Sequence, residues 1–164
     1  TYDGIPTPPI QAGTYTVVVI VNDINRQGSA SDTLVIAPGN DFNSWKNIHF
    51  SESEQTEGLA DDLADPDGDN YPNLTEYALG THPRQFTPQP VPVRDLDGLS
   101  FIFTRPANLP GISYEVESSE DLGVWRPVLL ELVTPGTTET LRARDPLDMG
   151  NPAQRYLRLR ISRQ

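Results

Sequence analysis

Between Thr14 and Asn22 the chain runs Tyr-Thr-Val-Val-Val-Ile-Val, and six of those seven residues branch at Cβ. Branched side chains lose rotamer freedom in a helix and fit the pleat of a strand, so this stretch is expected to be a strand. Alternation puts Tyr15, Val17, Val19 and Val21 on one face and Thr16, Val18 and Ile20 on the other. Both faces are apolar, so both are expected to be covered. Asn25 to Gly28 has turn chemistry, and Ser31 to Ala37, with Leu34 and Ile36, is expected to return the chain.

Sixteen prolines and twelve glycines punctuate the sequence, which favours brief strands over long helices. Pro38-Gly-Asn reads as a linker, and Asp41 suits a helix N-cap. Phe42, Trp45 and His49 then fall at i, i+3 and i+7, one stripe of a short helix ending near Phe50. Trp45 is expected in that packing stripe and not as a ligand-stacking ring. Ser51 to Gly58 is polar and is expected to be loop. Beyond Gly98 the period becomes two: Leu99, Phe101 and Phe103 alternate with Ser100 and Thr104, and Ile112, Tyr114 and Val116 with Ser113, Glu115 and Glu117. Further runs at Val124 to Leu132, Thr137 to Arg142 and Tyr156 to Ile161 bring the total to about five strands, the spacing of an antiparallel sandwich. The expected fold is mainly β: antiparallel Ig-like or β-sandwich pieces joined by a short helical linker. Its expected parts are a partial β repeat at 1–38, short helices with an acidic loop at 39–84, and a C-terminal sandwich at 85–164.

The net charge of −11 argues against a nucleic-acid partner, which demands a positive footprint. No run approaches the roughly 20 apolar residues of a membrane span, and Thr1 opens without a charged-then-apolar signal pattern, so mature, soluble material is expected. Without cysteine there are no disulfides, thiolate metal sites or cysteine nucleophiles, which leaves packing and a bound ion as sources of stability. From Glu52 to Glu76 there are nine acidic side chains and no Lys or Arg, while Arg142, Arg144, Arg155, Arg158, Arg160 and Arg163 crowd the C-terminal end. Charge runs are usually solvated faces, and the arginines are expected to be so; their other use is to meet carboxylates.

Within the acidic block, Asp65-Pro-Asp-Gly-Asp-Asn-Tyr-Pro-Asn-Leu-Thr-Glu sets side-chain oxygens at positions 1, 3, 5, 9 and 12, the ligand spacing of an EF-hand-type calcium loop. Calcium takes six to eight hard oxygens, and closely spaced carboxylates repel one another without a cation. The expected ligands are the carboxylates of Asp65, Asp67 and Asp69, the carbonyl of Tyr71, Asn73 directly or through water, and both oxygens of Glu76. Position 6 demands a left-handed residue, and Asn70 stands where glycine is usual. Pro72 lacks the N–H through which paired loops join, so a lone loop is expected. A helix start also fits, with Asn73 as N-cap and Glu76 as its capping-box partner, running to Gly80. Asp61 and Asp62 either extend the shell or carry surface charge at a helix end.

Two resemblances bear on the setting. Tyr2-Asp-Gly, Pro8, Ala12-Gly-Thr-Tyr-Thr-Val, Asn22-Asp, Gly28-Ser-Ala-Ser and Leu34-Val-Ile together resemble the second half of a bacterial immunoglobulin-like repeat of the MBG type. That implies a repeat stacked in long surface and adhesion proteins, whose first half would precede Thr1. Phe42, Trp45, Phe50, Asp65-Pro-Asp-Gly-Asp, Asn73-Leu, Glu76-Tyr-Ala-Leu-Gly, Phe101, Tyr114-Glu-Val-Glu, Asp121-Leu, Trp125 and Tyr156-Leu-Arg-Leu-Arg resemble a module at the C-terminal ends of secreted Verrucomicrobia proteins. Its loop is similar to dockerin and thrombospondin type 3 loops. This resemblance implies an extracellular, secreted or cell-surface setting and assigns no reaction.

An enzyme needs a catalytic constellation that the sequence does not offer. His49 belongs to a helix stripe and His82 sits beside Pro83 in a turn. Glu117 and Glu120 could form a glycosidase pair only at a separation that sequence does not reveal. The expected function is a non-catalytic, calcium-stabilised structural or adhesion module. The alternatives are a fibre subunit, in which residues 1–38 accept strands from another copy, and a carbohydrate-binding module using Trp125 and Tyr114. Expected partners are other copies of the chain or neighbouring repeats, with glycans third and neither nucleic acid nor membrane insertion.

Overall fold

In the computed structural model, residues 1–9, 13–37, 39–95, 98–145 and 154–164 are described. Ala12 of the MBG-like pattern and Pro38 of the expected linker lie outside them. By its contacts the chain divides into two compact units, Thr1–Ile48 and His49–Gln164.

In the first unit, β1 (Gly13–Asn22) and β2 (Gln27–Ile36) form an antiparallel hairpin with Tyr15 opposite Leu34 and Val19 opposite Ala30. The turn falls at Asp23–Arg26, earlier than expected: the Asp23 N–H donates to the Arg26 carbonyl, and the Asp23 carboxylate accepts the Asn25 N–H. This Asx turn frees Gly28 to pair with Val21. Along the other edge of β1, Val18 donates to the Thr1 carbonyl and Asp3 to that of Thr16. Among the described residues of this chain, nothing covers the faces of β1 that were expected to be covered. No described residue of β1 or β2 is buried, and Ile20 is 68% exposed, because the hairpin and its flanking segment make a single layer. In α1 (Phe42–His49), the Asp41 carboxylate accepts the N–H groups of Asn43 and Ser44, so the helix starts where expected. The Phe42 and Trp45 rings stack with centroids 5.5 Å apart.

The second unit begins with a helix where loop is expected. In α2 (Glu52–Thr56), the Ser51 side chain accepts from the Glu54 N–H while the Glu54 carboxylate accepts from the Ser51 N–H. Ser51 and Glu54 thus form a capping box, which starts this helix without the apolar stripe that makes most helices legible in a sequence. After α3 (Asn73–Leu79) come β3 (Val93–Asp95), β4 (Gly98–Pro106), β5 (Ile112–Ser119), β6 (Arg126–Val128), β7 (Leu130–Thr134), β8 (Thr138–Arg144) and β9 (Tyr156–Arg163).

These strands make a four-stranded sheet ordered β3-β4-β8-β7 and a three-stranded sheet ordered β6-β5-β9, with antiparallel pairing throughout. Leu99, Phe101 and Phe103 of β4 join Leu141 and Ala143 of β8, Val116 of β5, Val128 of β6 and Leu157 of β9 in one apolar cluster. Period-two alternation therefore identified the core faces of β4 and β5. The run expected as one strand, Val124 to Leu132, is broken instead. Its first part pairs with β5 in one sheet and its second with β8 in the other, and the chain crosses between them at Leu129, which is 88% exposed. A run of strand formers does not reveal such a crossing, because local pattern marks extended chain and not the strand that lies beside it. The chain as described is mainly β with antiparallel sheets.

Candidate metal centre

The loop ahead of α3 is built by its own side chains. Asp65 accepts the Gly68 N–H on Oδ1 at 2.9 Å and the Asn70 N–H on Oδ2 at 2.8 Å, which winds the chain around it. Asp67 accepts the Asp69 N–H, and Asp69 accepts the Tyr71 N–H at 2.7 Å. Winding this tight requires left-handed backbone twice: Gly68 has φ of 77° and Asn70 has φ of 68°, the second at the position where the loop pattern demands it. One carboxylate oxygen from each of Asp65, Asp67 and Asp69 lies within 4.8 Å of the other two.

The close cluster holds the three aspartates and not Glu76; Asn73 and Glu76 stand in the first turn of α3, but not as a capping box. Pro72 is the N-cap residue and makes no side-chain cap bond. The Asn73 amide donates instead to the carbonyls of Leu59 and Asp61, at 2.8 and 2.9 Å, and its N–H donates to Ala64. Glu76 is thereby released from capping. It is fully buried, and Gly80 in the left-handed region ends the helix one turn later.

Glu76 carries the largest electrostatic perturbation in this loop. Burial, followed by the charges of Asp67, Asp69 and Asp65, pushes its carboxyl up to about 8. Its Oε2, together with Asp67 Oδ2 and Asn73 Oδ1, is a buried oxygen without a hydrogen-bond partner. Buried oxygens of this kind are costly unless a proton or a cation satisfies them. The donor set is all oxygen and strongly anionic, which suits calcium and not a soft metal. Asp65, Asp67, Asp69, Asn73 and Glu76 are the side chains that would hold it, with the Tyr71 carbonyl as the expected main-chain ligand.

Asp61 and Asp62 are not drawn into this cluster; the Asp62 carboxylate pairs with Arg163 at 3.1 Å. Sequence reasoning missed Thr87 and Gln89. The Thr87 N–H donates to Asp69 Oδ2 at 2.8 Å, and the Gln89 amide donates to the carbonyls of Asp69 and Asn70. They stand 18 and 20 residues beyond Asp69 in segments with no motif, so no local signal could have found them.

The other candidate residues are committed elsewhere. Glu117 pairs with Arg158, and Glu120 with Arg155, whose side chain is nearly buried against the fully buried Asp145. Arg142 pairs with Glu131. Much of the arginine-rich end, expected as solvated surface, thus meets carboxylates within this unit. Arg158 lies 3.9 Å from the centre of the Trp125 ring, and Arg105 lies 4.5 Å from the centre of the Tyr114 ring, which Phe103 stacks against, so neither ring offers a bare stacking face. The rings of His49 and His82, expected in separate roles, meet edge to face at 4.7 Å. Burial, with the neighbouring His82 and Arg84, lowers the pKa of His49.

Among known families, the model described as the MBG domain matches residues 1–40. That segment is similar to an MBG-type repeat, and the match ends before α1, the acidic loop and the two sheets. No curated protein and no solved structure matches the chain. Among the described residues, no helix is long and apolar enough to cross a membrane.

Proposed function

We propose that the chain is a calcium-stabilised, non-catalytic module of a secreted or cell-surface bacterial protein, its ion held by Asp65, Asp67, Asp69, Tyr71, Asn73 and Glu76. One observation carries the metal assignment: Glu76, fully buried, points an unpartnered oxygen into a setting already charged by three aspartates. A proton would neutralise Glu76 alone and leave Asp67 Oδ2 and Asn73 Oδ1 unsatisfied, whereas a cation bound by all three residues would satisfy each of these oxygens. The ion's role is architectural, since it would join the turn at Leu59 and Asp61, the start of α3, and the segment at Thr87. The extracellular setting is supported by the MBG match over residues 1–40.

Isothermal calorimetry on the full chain tests the assignment. Calcium binds at one site in the wild type and loses most of its heat in Glu76→Gln, which keeps the shape and removes the charge. Equal binding by both proteins would refute the ligand set.

A second function, assembly into a homopolymer by strand exchange, is favoured by the hairpin, whose Val19, Ile20, Val21 and Val35 are exposed. Light scattering and electron microscopy decide it, and a monodisperse monomer in calcium excludes it. Glycan binding at Trp125 is disfavoured by the Arg158 side chain over its ring.

A further inference from the structure

Residues 85–92 run Gln-Phe-Thr-Pro-Gln-Pro-Val-Pro between α3 and β3, without regular secondary structure. Prolines at 88, 90 and 92 remove backbone donors, so this strap cannot join a sheet by a full ladder. What ties it to the acidic loop is the Thr87 N–H on Asp69 Oδ2 and the Gln89 amide on the carbonyls of Asp69 and Asn70. Asp69 is itself 3% exposed, and its other oxygen holds the Tyr71 N–H. One carboxylate therefore faces the ion cluster, the helix approach and the strap together. Tyr71, the next anchor, borders a cavity of about 270 Å³ with Thr87, Pro88 and Pro90, and another of about 430 Å³ with Gln89, Val91 and Pro92.

We infer that the strap is a calcium-dependent closure: the ion fixes Asp69 in the position that receives Thr87, and the strap then seals the flanks of Tyr71. The inference rests on the calcium assignment above and adds the element that the ion controls. Without a cation, the carboxylates repel one another, and the Asp69 contact that leaves the loop for Thr87 is the one free to lengthen without unwinding the loop. By reciprocity, whatever the ion does for the strap, the strap does for the affinity of the ion.

The test uses the full chain in calcium chloride and after chelation, with calcium binding measured separately by calorimetry. Phe86, 72% exposed at the start of the strap, is the chymotrypsin reporter, and the Thr87 amide is the hydrogen-exchange reporter. Calcium is expected to slow exchange at Thr87 by about tenfold or more, as local opening becomes rarer, and to slow cleavage at Phe86 while Val116 in the core exchanges unchanged. Gln89→Ala is expected to weaken calcium binding by about fivefold, the equivalent of roughly one hydrogen bond, with the circular dichroism spectrum unaltered. If calcium binds and Thr87 exchanges at the same rate with and without it, the strap is not controlled by the ion. Control of the strap is equally overturned if Val116 loses protection together with Thr87, because the ion then holds the whole unit. Absence of any binding heat removes the calcium assignment itself, and the closure with it.

Discussion

β1 has the longest run of branched apolar residues in the chain, yet Val19, Ile20 and Val21 are exposed; Phe103 of β4 and Val116 of β5, from strands mixed with Ser, Thr and Glu, are buried. The difference lies in layers and not in hydrophobicity. In the second unit two sheets supply opposite walls to one cluster, so apolar residues of β4, β5, β6, β8 and β9 find opposing partners. In the first, the sheet is a hairpin with one short flanking segment, and a two-stranded ribbon has little to pack against. A sequence rich in β formers thus specifies strands without specifying a core.

The contrast can be broken or sharpened by perturbing each unit. The largest effect is expected from Phe103→Ala, which should cost the second unit about 3–5 kcal/mol in denaturant unfolding, since a buried aromatic leaves a cavity. Removing calcium comes next. From a hundredfold excess over Kd, chelation should lower the stability of the second unit by about 2.7 kcal/mol, read as a drop in Tm.

That loss should depend on pH. In the folded, calcium-free chain Glu76 keeps its proton up to about 8, against an ordinary value of 4.5, so between those values the folded state binds more protons than the unfolded one. Stability of the chelated protein therefore falls as pH rises through that window. Calcium needs the ionised carboxylate and binds better as pH rises, so the gap in Tm between calcium and chelator should widen from pH 5 to pH 8. A gap that is constant or narrows with pH would remove Glu76 from the ligand set.

Smaller effects follow. Ser51→Ala should cost about 1 kcal/mol by breaking the cap of α2, visible as faster amide exchange at Glu54. Val19→Thr in the hairpin should change stability by less than about 0.5 kcal/mol, as an exposed site does. A loss comparable to that of Phe103→Ala would show that the hairpin is covered in solution, and concentration dependence of that loss would identify a second copy as the cover.

Much of the acidic loop was legible because its contacts are local. Asp65, Gly68 and Asn70 lie within five residues, so spacing alone encodes the turn, and the left-handed backbone at Asn70 follows from its position. The helix start was half legible. Leu74 to Gly80 was expected and found, but the cap falls on Pro72 and Asn73 is already helical; its NH2 donates back to the Leu59 and Asp61 carbonyls, and its Oδ1 accepts no cap bond. The core faces of β4 and β5 were legible from alternation, whereas the crossing at Leu129 was not, because sheet membership depends on which strand lies alongside.

By itself the amino-acid sequence determined where the chain is extended, where it turns, and which carboxylates are spaced for a hard cation. Each of those depends on forces that act over a few residues: rotamer restriction, alternation and side chains bonding nearby N–H groups. Only the tertiary structure decided that Glu76 is buried with an unpartnered oxygen, that Thr87 and Gln89 reach Asp69, that Asp145 and Arg155 pair in the interior, and that β1 remains open. Those outcomes depend on which distant segments arrive, and on whether enough chain arrives to exclude water, which no local pattern records.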